Sequence, residues 1–512
     1  MEEGLPSRNV LLSQKEIEKL GRQRPETFKS RLSEIGFCFS LLASMFMAEY
    51  MVSGFNIILP TLATALDIPL AARTWPASVF SLVTGALLLP FGRLADIYGS
   101  YAIFVSGLVW FTTWSLIAGF SQNYIMLVVC RALQGLGPAA FLPSGIMLLG
   151  SIYRPGPRKN LVFSLYGASA PVGFFSGIFF AGISGQYLPW GWYFWIGAII
   201  LSIITVVGIW TIPSEEQITS NVRMDWWGVV TIVPGLLLVV YAITDSSHTA
   251  RGWQAPQIYL TFVIGIVCLV AAFYVEGWVA ENPLLPFDLF SVKYMKPLLL
   301  SLFFAYGVFG IYLFYASFYI EDILGVSALR TVAWFAPMAI GGLILATISG
   351  FTLHLLPGKL ALVISGGGFL LSVLLFAIIP SENPSYWAYV FPAMLAATLG
   401  ADVTYSVSNV FITTSLPKNR QGLAGAVINS VLFLGISFFL GIADLAVNRT
   451  EERLGTEGAY RVAFWFGLAC AACSIVLMVG FVKIGKAKSD LTYEEKAQMQ
   501  ASALEISTKG ES

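Results

Sequence analysis

Three charged residues stand in stretches of this 512-residue chain that are otherwise apolar: Glu49, Arg131 and Asp402. A guanidinium in hydrocarbon costs about 2.5 kcal/mol or more on insertion scales, and it is tolerated where it faces a protein interior or a wet cavity and has a partner. Gln134, Gly135 and Gly137 follow Arg131 closely. Glu49, Ser53 and Asn56 fall at i, i+4 and i+7, one face of a helix. Thr398, Asp402, Ser406, Asn409 and Thr413 make a longer polar stripe on a helix that is otherwise apolar. A carboxylate whose proton affinity responds to burial and to neighbouring charge is able to carry proton coupling. Glu49 has three readings: a proton-coupling or substrate-facing group, a structural ion pair with Arg131, or an interfacial group. Asp402 has two: a functional carboxylate, or part of a polar seam between packed helices. Glu276 and Asp444 lie near the ends of apolar segments and read as interfacial.

The elements that must position these groups are membrane helices. The chain is 57% hydrophobic and 11% charged, against about 25% charged for a soluble domain, so its solvent is the lipid bilayer. Net charge is zero and no basic cluster appears, so no nucleic-acid partner is expected. The five cysteines lie in or beside apolar segments, and no disulfide is expected. Two histidines, His248 and His354, are too few for a histidine metal centre; neither metal nor cofactor is expected. No Gly-x-x-x-x-Gly-Lys-[Ser/Thr] loop occurs, so no ATP engine is encoded. Work must come from an ion gradient, or passage is passive.

A crossing needs roughly 20 mostly apolar residues. Fourteen segments qualify: 36–66, 74–92, 101–120, 123–150, 160–187, 190–212, 226–244, 257–279, 294–319, 329–352, 359–379, 386–415, 421–447 and 460–484. With the N-terminus inside, 22 of the 29 Lys and Arg residues fall on the cytosolic side, the bias expected of a correct orientation. Both polar tails, 1–35 and 485–512, are then cytosolic, and no cleavable signal is visible. Asn448-Arg449-Thr450 is a glycosylation sequon in an outer loop close to the membrane. The aromatic ninth segment, with Tyr312, Tyr315 and Tyr319 on one face, reads as packing and anchoring more than as a greasy binding wall.

Gly92-Arg93-Leu94-Ala95-Asp96-Ile97-Tyr98-Gly99 follows the second segment, in the expected loop. A faint echo, Gly350-Phe-Thr-Leu-His354-Leu-Leu-Pro-Gly358-Lys359, follows the tenth. The spacing implies two copies of a six-helix unit: an N-terminal half over 36–212, a linker with two extra helices over 213–291, and a C-terminal half over 292–484. Repeated halves with a site between them are the usual plan of secondary transporters.

These residues resemble the major facilitator superfamily. Gly92-x-Leu94-Ala95-Asp96-x-x-Gly99 is similar to its loop signature, and Leu127-x-x-x-Arg131-x-x-Gln134-Gly135-x-Gly137 to its fourth-helix signature. Gly167, Pro171, Gly173 and Gly177 resemble the proline-glycine antiporter signature with displaced glycines. Fourteen segments and Asn282-Pro-Leu-Leu-Pro286 resemble the fourteen-helix drug:proton antiporters. Gly400-x-Asp402, Gln421-Gly422 and the Ala170–Phe174 run are most similar to the fungal aminotriazole-resistance branch. The chain departs from the pattern at Ile97, Ser100 and Tyr101, where the family has basic residues, and at Met51, where many relatives carry an acid.

The resemblance implies an all-α membrane protein of major facilitator fold, with fourteen helices as 6 + 2 + 6. It implies a monomeric transporter, not an enzyme, that exports a small organic substrate (a drug, toxin or secondary metabolite) in exchange for protons. Plasma membrane is the default site, with a vacuolar membrane as the alternative. Uptake of a polar nutrient or small inorganic acid, and a transport-dead sensor, stay open beside it. Glu49 and Asp402 are the expected proton carriers. Arg131, Gln134, Asn56, Ser406 and Asn409 are expected at the cavity, with Arg131 as partner of Glu49.

Overall fold

The computed structural model describes residues 23–69, 72–153, 157–214, 223–249, 251–352, 356–381, 384–415 and 421–484. His354 and most of both expected tails lie outside these residues. Thirteen helices run in order: α1 Arg31–Ala65, α2 Trp75–Tyr98, α3 Ser100–Ala118, α4 Tyr124–Ile152, α5 Pro157–Gln186, α6 Gly191–Thr211, α7 Trp226–Asp245, α8 Pro256–Tyr274, α9 Met295–Phe318, α10 Ala328–Thr352, α11 Gly358–Ala377, α12 Phe391–Ser415 and α13 Gln421–Phe481. Among the described residues, thirteen helices are long and apolar enough to cross a membrane.

Local sequence explains the starts. Asn123 caps α4, its Oδ1 accepting from Met126 N at 2.8 Å, and Asp225 caps α7 through Gly228 N at 2.9 Å. The 61-residue α13 would extend about 90 Å if straight, three times the hydrocarbon thickness. It doubles back at Gly455, whose φ of 70° and ψ of 172° suit glycine. Ala426 in its first arm nears Gly92, while Lys359 Nζ donates to Val479 O in its second, both at the end of the bundle rich in basic residues. Glu457 and Tyr460, past the reversal, meet Tyr319 and Asp322 at the opposite end. The two arms thus occupy the place of the last two expected segments.

Two expected loops are helical. Gly92, Arg93 and Asp96 form the last turns of α2, because Leu94 and Ala95 favour helix and the chain turns only at Gly99, with φ 91°. Arg93 donates to Pro283 O at 2.7 Å, tying α2 to the chain after α8. Asn448 lies within α13 with its amide nitrogen buried, so the sequon is helical and not in an extended loop.

α1 and α5 touch backbone to backbone: a Cβ on Gly173 or Gly177 would overlap the carbonyl oxygens of Phe46 or Tyr50. Small residues permit this approach where lipid offers no hydrophobic drive between helices. α7 and α8 pack mainly on each other and are the most lipid-facing pair; the α8 segment is 17% buried.

Candidate functional site

A cavity of about 510 Å³ opens among α1, α4, α5, α9, α10, α12 and α13. Glu49 enters from α1 and Asp402 from α12, both half-buried. Ser406 and Asn409 extend the α12 wall, so the stripe faces the cavity from Thr398 to Asn409, while the side chain of Thr413 lies outside what is described. Thr398 itself donates to Met338 O and Met394 O, each at 2.9 Å, so one end of the stripe also bonds helices together. Tyr166, Phe174, Tyr306, Phe309, Asn429 and Phe433 supply an aromatic and amide lining. The size and the mix of apolar walls with few polar groups suit a small organic molecule.

Asp402 sits where three helices meet. A Cβ on Gly342 of α10 would lie 2.9 Å from Asp402 Oδ2 and 3.3 Å from Pro171 Cβ of α5. Away from this point the α5–α10 seam differs at its two ends. Toward the basic end, Gly167 faces the cavity with nothing within 4 Å of its Cβ position. Toward the other end, Gly182 packs tightly on Val332, and Gln186 Oε1 accepts from Leu329 N at 3.1 Å. Arg73 adds an ion pair to Asp322 at 3.0 Å and stacks on Phe318 at 5.4 Å. The cavity is therefore closed at that end and reaches Lys159 at the basic one.

Arg131 does not pair with Glu49. Its Nε donates to Pro76 O at 3.1 Å, Nη1 to Gln134 Oε1 at 3.1 Å and Nη2 to Met51 O at 3.3 Å. The rings of Phe55 and Phe80 cover the guanidinium at 4.0 and 4.3 Å. Gln134 passes the chain of bonds to Ser115 at 3.0 Å. Among the described residues no carboxylate meets Arg131, which is 1% exposed. Depth along the helix is similar for Arg131 and Glu49, but depth does not fix azimuth: the two side chains leave their helices in different directions. Asn56 is likewise turned away from the cavity; it donates to Val52 O at 2.8 Å and lines a void of about 20 Å³ with Arg131.

Other expectations change too. Glu276 and Asp444 are buried, not interfacial. Glu276 accepts from Leu285 N at 2.9 Å, and Asp444 accepts from Ser247 Oγ at 3.1 Å. The packing reading of Tyr312, Tyr315 and Tyr319, by contrast, holds: all three are buried, Tyr312 and Tyr319 edge-on to Phe376, while Tyr306 and Phe309, earlier on α9, line the cavity. Asn429 was missed, although a lone amide in an apolar run was a visible signal.

A family model described as Major Facilitator Superfamily matches residues 41–440. The chain is 36% identical to a low affinity ammonium transporter of Saccharomyces cerevisiae, over 83% of each chain. It is 31% identical to the efflux pump terJ of Aspergillus terreus, over 91% of this chain and 90% of that protein. It is 30% identical to an aminotriazole resistance protein of Saccharomyces cerevisiae, over 92% and 89%. Among solved structures, an auto-inhibited POT family peptide transporter superposes with a TM-score of 0.67 at 14% identity, over 90% of this chain and 99% of that one. The helical plan and the match over most of its length agree: this chain is a membrane transporter, not an enzyme, and it belongs to the major facilitator superfamily.

Proposed function

We propose that the protein exports a small amphipathic organic compound in exchange for protons, with Glu49 and Asp402 as the coupling groups. The observation that carries this reading is the pair of carboxylates entering one aromatic-lined cavity from α1 and α12. Two ionised carboxylates facing one cavity repel, and the repulsion opposes closure around an empty site. Protonation or a bound substrate removes it, which links the occupant to the change of access. The moving bodies are two six-helix halves, 36–212 and 292–484, with 213–291 as linker. Fourteen crossings put both termini in the cytosol, where the cavity's basic mouth then opens. The protein works as a monomer in the plasma membrane. The efflux pump and the resistance protein among its relatives support the direction.

The test is flux in reconstituted vesicles under an imposed pH gradient. Glu49→Gln and Asp402→Asn are expected to abolish gradient-driven flux while leaving exchange at equal pH. Full driven flux in both variants overturns the coupling. The ammonium transporter relative favours a second reading, uptake of a small cation. Accumulation of methylammonium in cells lacking their own ammonium carriers separates the two.

A further inference from the structure

The run Arg22-Gln23-Arg24-Pro25-Glu26-Thr27-Phe28 stands in the tail before α1. It has arginine five and three residues before a threonine and a bulky apolar residue directly after it. Arginine-directed protein kinases read this pattern: carboxylates on the kinase grip the two planar forks, and an apolar pocket takes the side chain after the acceptor. Such a heptapeptide is a weak signal by itself. The fold adds a second observation, because it gives Phe28 a competing place to be.

Pro25 to Phe28 form a tight turn, closed by Phe28 N donating to Pro25 O at 3.2 Å, with Glu26 and Thr27 exposed at its corners. Phe28 itself is 2% exposed. Its ring lies 5.1 Å from that of Phe37 in α1 and 6.2 Å from that of Tyr153, which ends α4. The Tyr153 hydroxyl donates to Glu34 Oε1 at 3.0 Å, and Arg158 Nε of α5 donates to the same oxygen at 2.7 Å. Phe28 is therefore seated in a corner where α1, α4 and α5 meet, one residue along α5 from Lys159 at the cavity's basic mouth. The next hydroxyls along the chain are held in the first turn of α1. Ser30 Oγ accepts from Ser33 N at 3.1 Å, and Ser33 Oγ donates to Thr211 O at 3.5 Å. Neither serine has an arginine three residues before it.

We propose that Thr27 is a phosphorylation site for an arginine-directed kinase and that Phe28 gates it. The Phe28 side chain fills either the corner of the transporter or the apolar pocket of the kinase, never both. A kinase takes its substrate extended, so the Pro25–Phe28 turn must open and Phe28 must leave its seat before Thr27 reacts. Thr27 Oγ1 then forms a bond to the γ-phosphorus of ATP as the bond to ADP breaks, and the hydroxyl proton passes to the kinase's base. The kinase thus modifies the fraction of molecules in which the corner beside the cavity mouth has released the tail. That the tail meets ATP and a kinase rests on the cytosolic orientation proposed above.

The whole protein in lipid nanodiscs exposes both faces, so the outcome is independent of that orientation. It is incubated with ATP and a purified kinase that requires arginine at the same two positions, and tandem mass spectrometry locates the phosphate. A synthetic peptide of residues 20–33 offers the motif without the corner. Phosphate is expected on Thr27 in both, with an initial rate about tenfold lower in the protein, the factor that seating one apolar side chain supplies. Phe37→Ala removes a wall of the corner and leaves the motif intact, and it should bring the protein's rate to that of the peptide. Thr27→Ala should abolish labelling, and Ser30→Ala should not. No phosphate on Thr27 of the protein after prolonged incubation overturns the site, and equal initial rates for peptide and wild-type protein overturn the gating. If Phe37→Ala does not fold, the ratio of peptide to wild-type rates still decides it.

Discussion

Replacing Arg131 by Met and by Lys separates a positioning role from an ion pair with Glu49. Arg131→Met leaves three acceptors short of a donor, Pro76 O, Gln134 Oε1 and Met51 O. Two of these are backbone carbonyls with further helical donors, so the low end of the range applies, about 1 kcal/mol each. Losing the two ring contacts adds about 1 kcal/mol each. Relief from burying a charge returns several kcal/mol. The terms sum to about 5 kcal/mol of loss against several returned, so the net is a destabilisation of no more than about 2 kcal/mol. Arg131→Lys keeps the buried charge but replaces the planar fork with one compact head that cannot reach acceptors on α1, α2 and α4 together. Lys is therefore expected to be the more damaging change. An ion pair with Glu49 gives the reverse order, because Lys keeps the pair while Met strands a carboxylate. Thermal unfolding of the purified protein in detergent ranks the variants, and Glu49→Gln closes a double-mutant cycle. The reasoning fails if Lys is milder than Met, or if Glu49 and Arg131 couple by more than about 1 kcal/mol.

Three further outcomes are expected. Gly177→Ala drives a methyl into the Tyr50 carbonyl and should lower stability by about 1–3 kcal/mol, whereas Gly167→Ala, with open space at its Cβ, should unfold like wild type; paired melting curves check this. Asp322→Asn removes a part-exposed ion pair with Arg73, worth about 0.5 kcal/mol after screening, and should raise labelling of a cysteine at Ser327 about twofold. Asn448→Gln should leave electrophoretic mobility unchanged in a glycosylating host, since the acceptor amide nitrogen is buried.

Hydropathy alone made the helices legible, because about 30 Å of hydrocarbon admits little else. The α12 stripe was legible for the same reason, since period and polarity together give the face that Asp402, Ser406 and Asn409 share. What stayed hidden was rotation about each helix axis. Glu49 and Arg131 lie at similar depth, yet one meets the cavity and the other is sealed behind Phe55 and Phe80. Depth likewise misplaced Asp444 and Glu276: being near a helix end did not mean being near water, because His248 and Leu285 fold over them. The loop signature at Gly92–Gly99 was placed in a loop because it follows the second apolar segment, while Leu94 and Ala95 favour helix and carry α2 on to Tyr98.

The contact of Pro171 with Gly342 beside Asp402 has a mechanical consequence. Under the proposed alternating access it would serve as a fulcrum on the α5–α10 seam, with arms of similar length on either side. From Pro171 to Gln186 the helix runs about 22 Å, so a tilt of about 10° swings its far tip by about 4 Å. An atom-sized event at Asp402, such as the arrival of a proton in the proposed cycle, has a negligible lever arm of its own, but at the tips of such a lever the displacement would exceed the diameter of a water molecule.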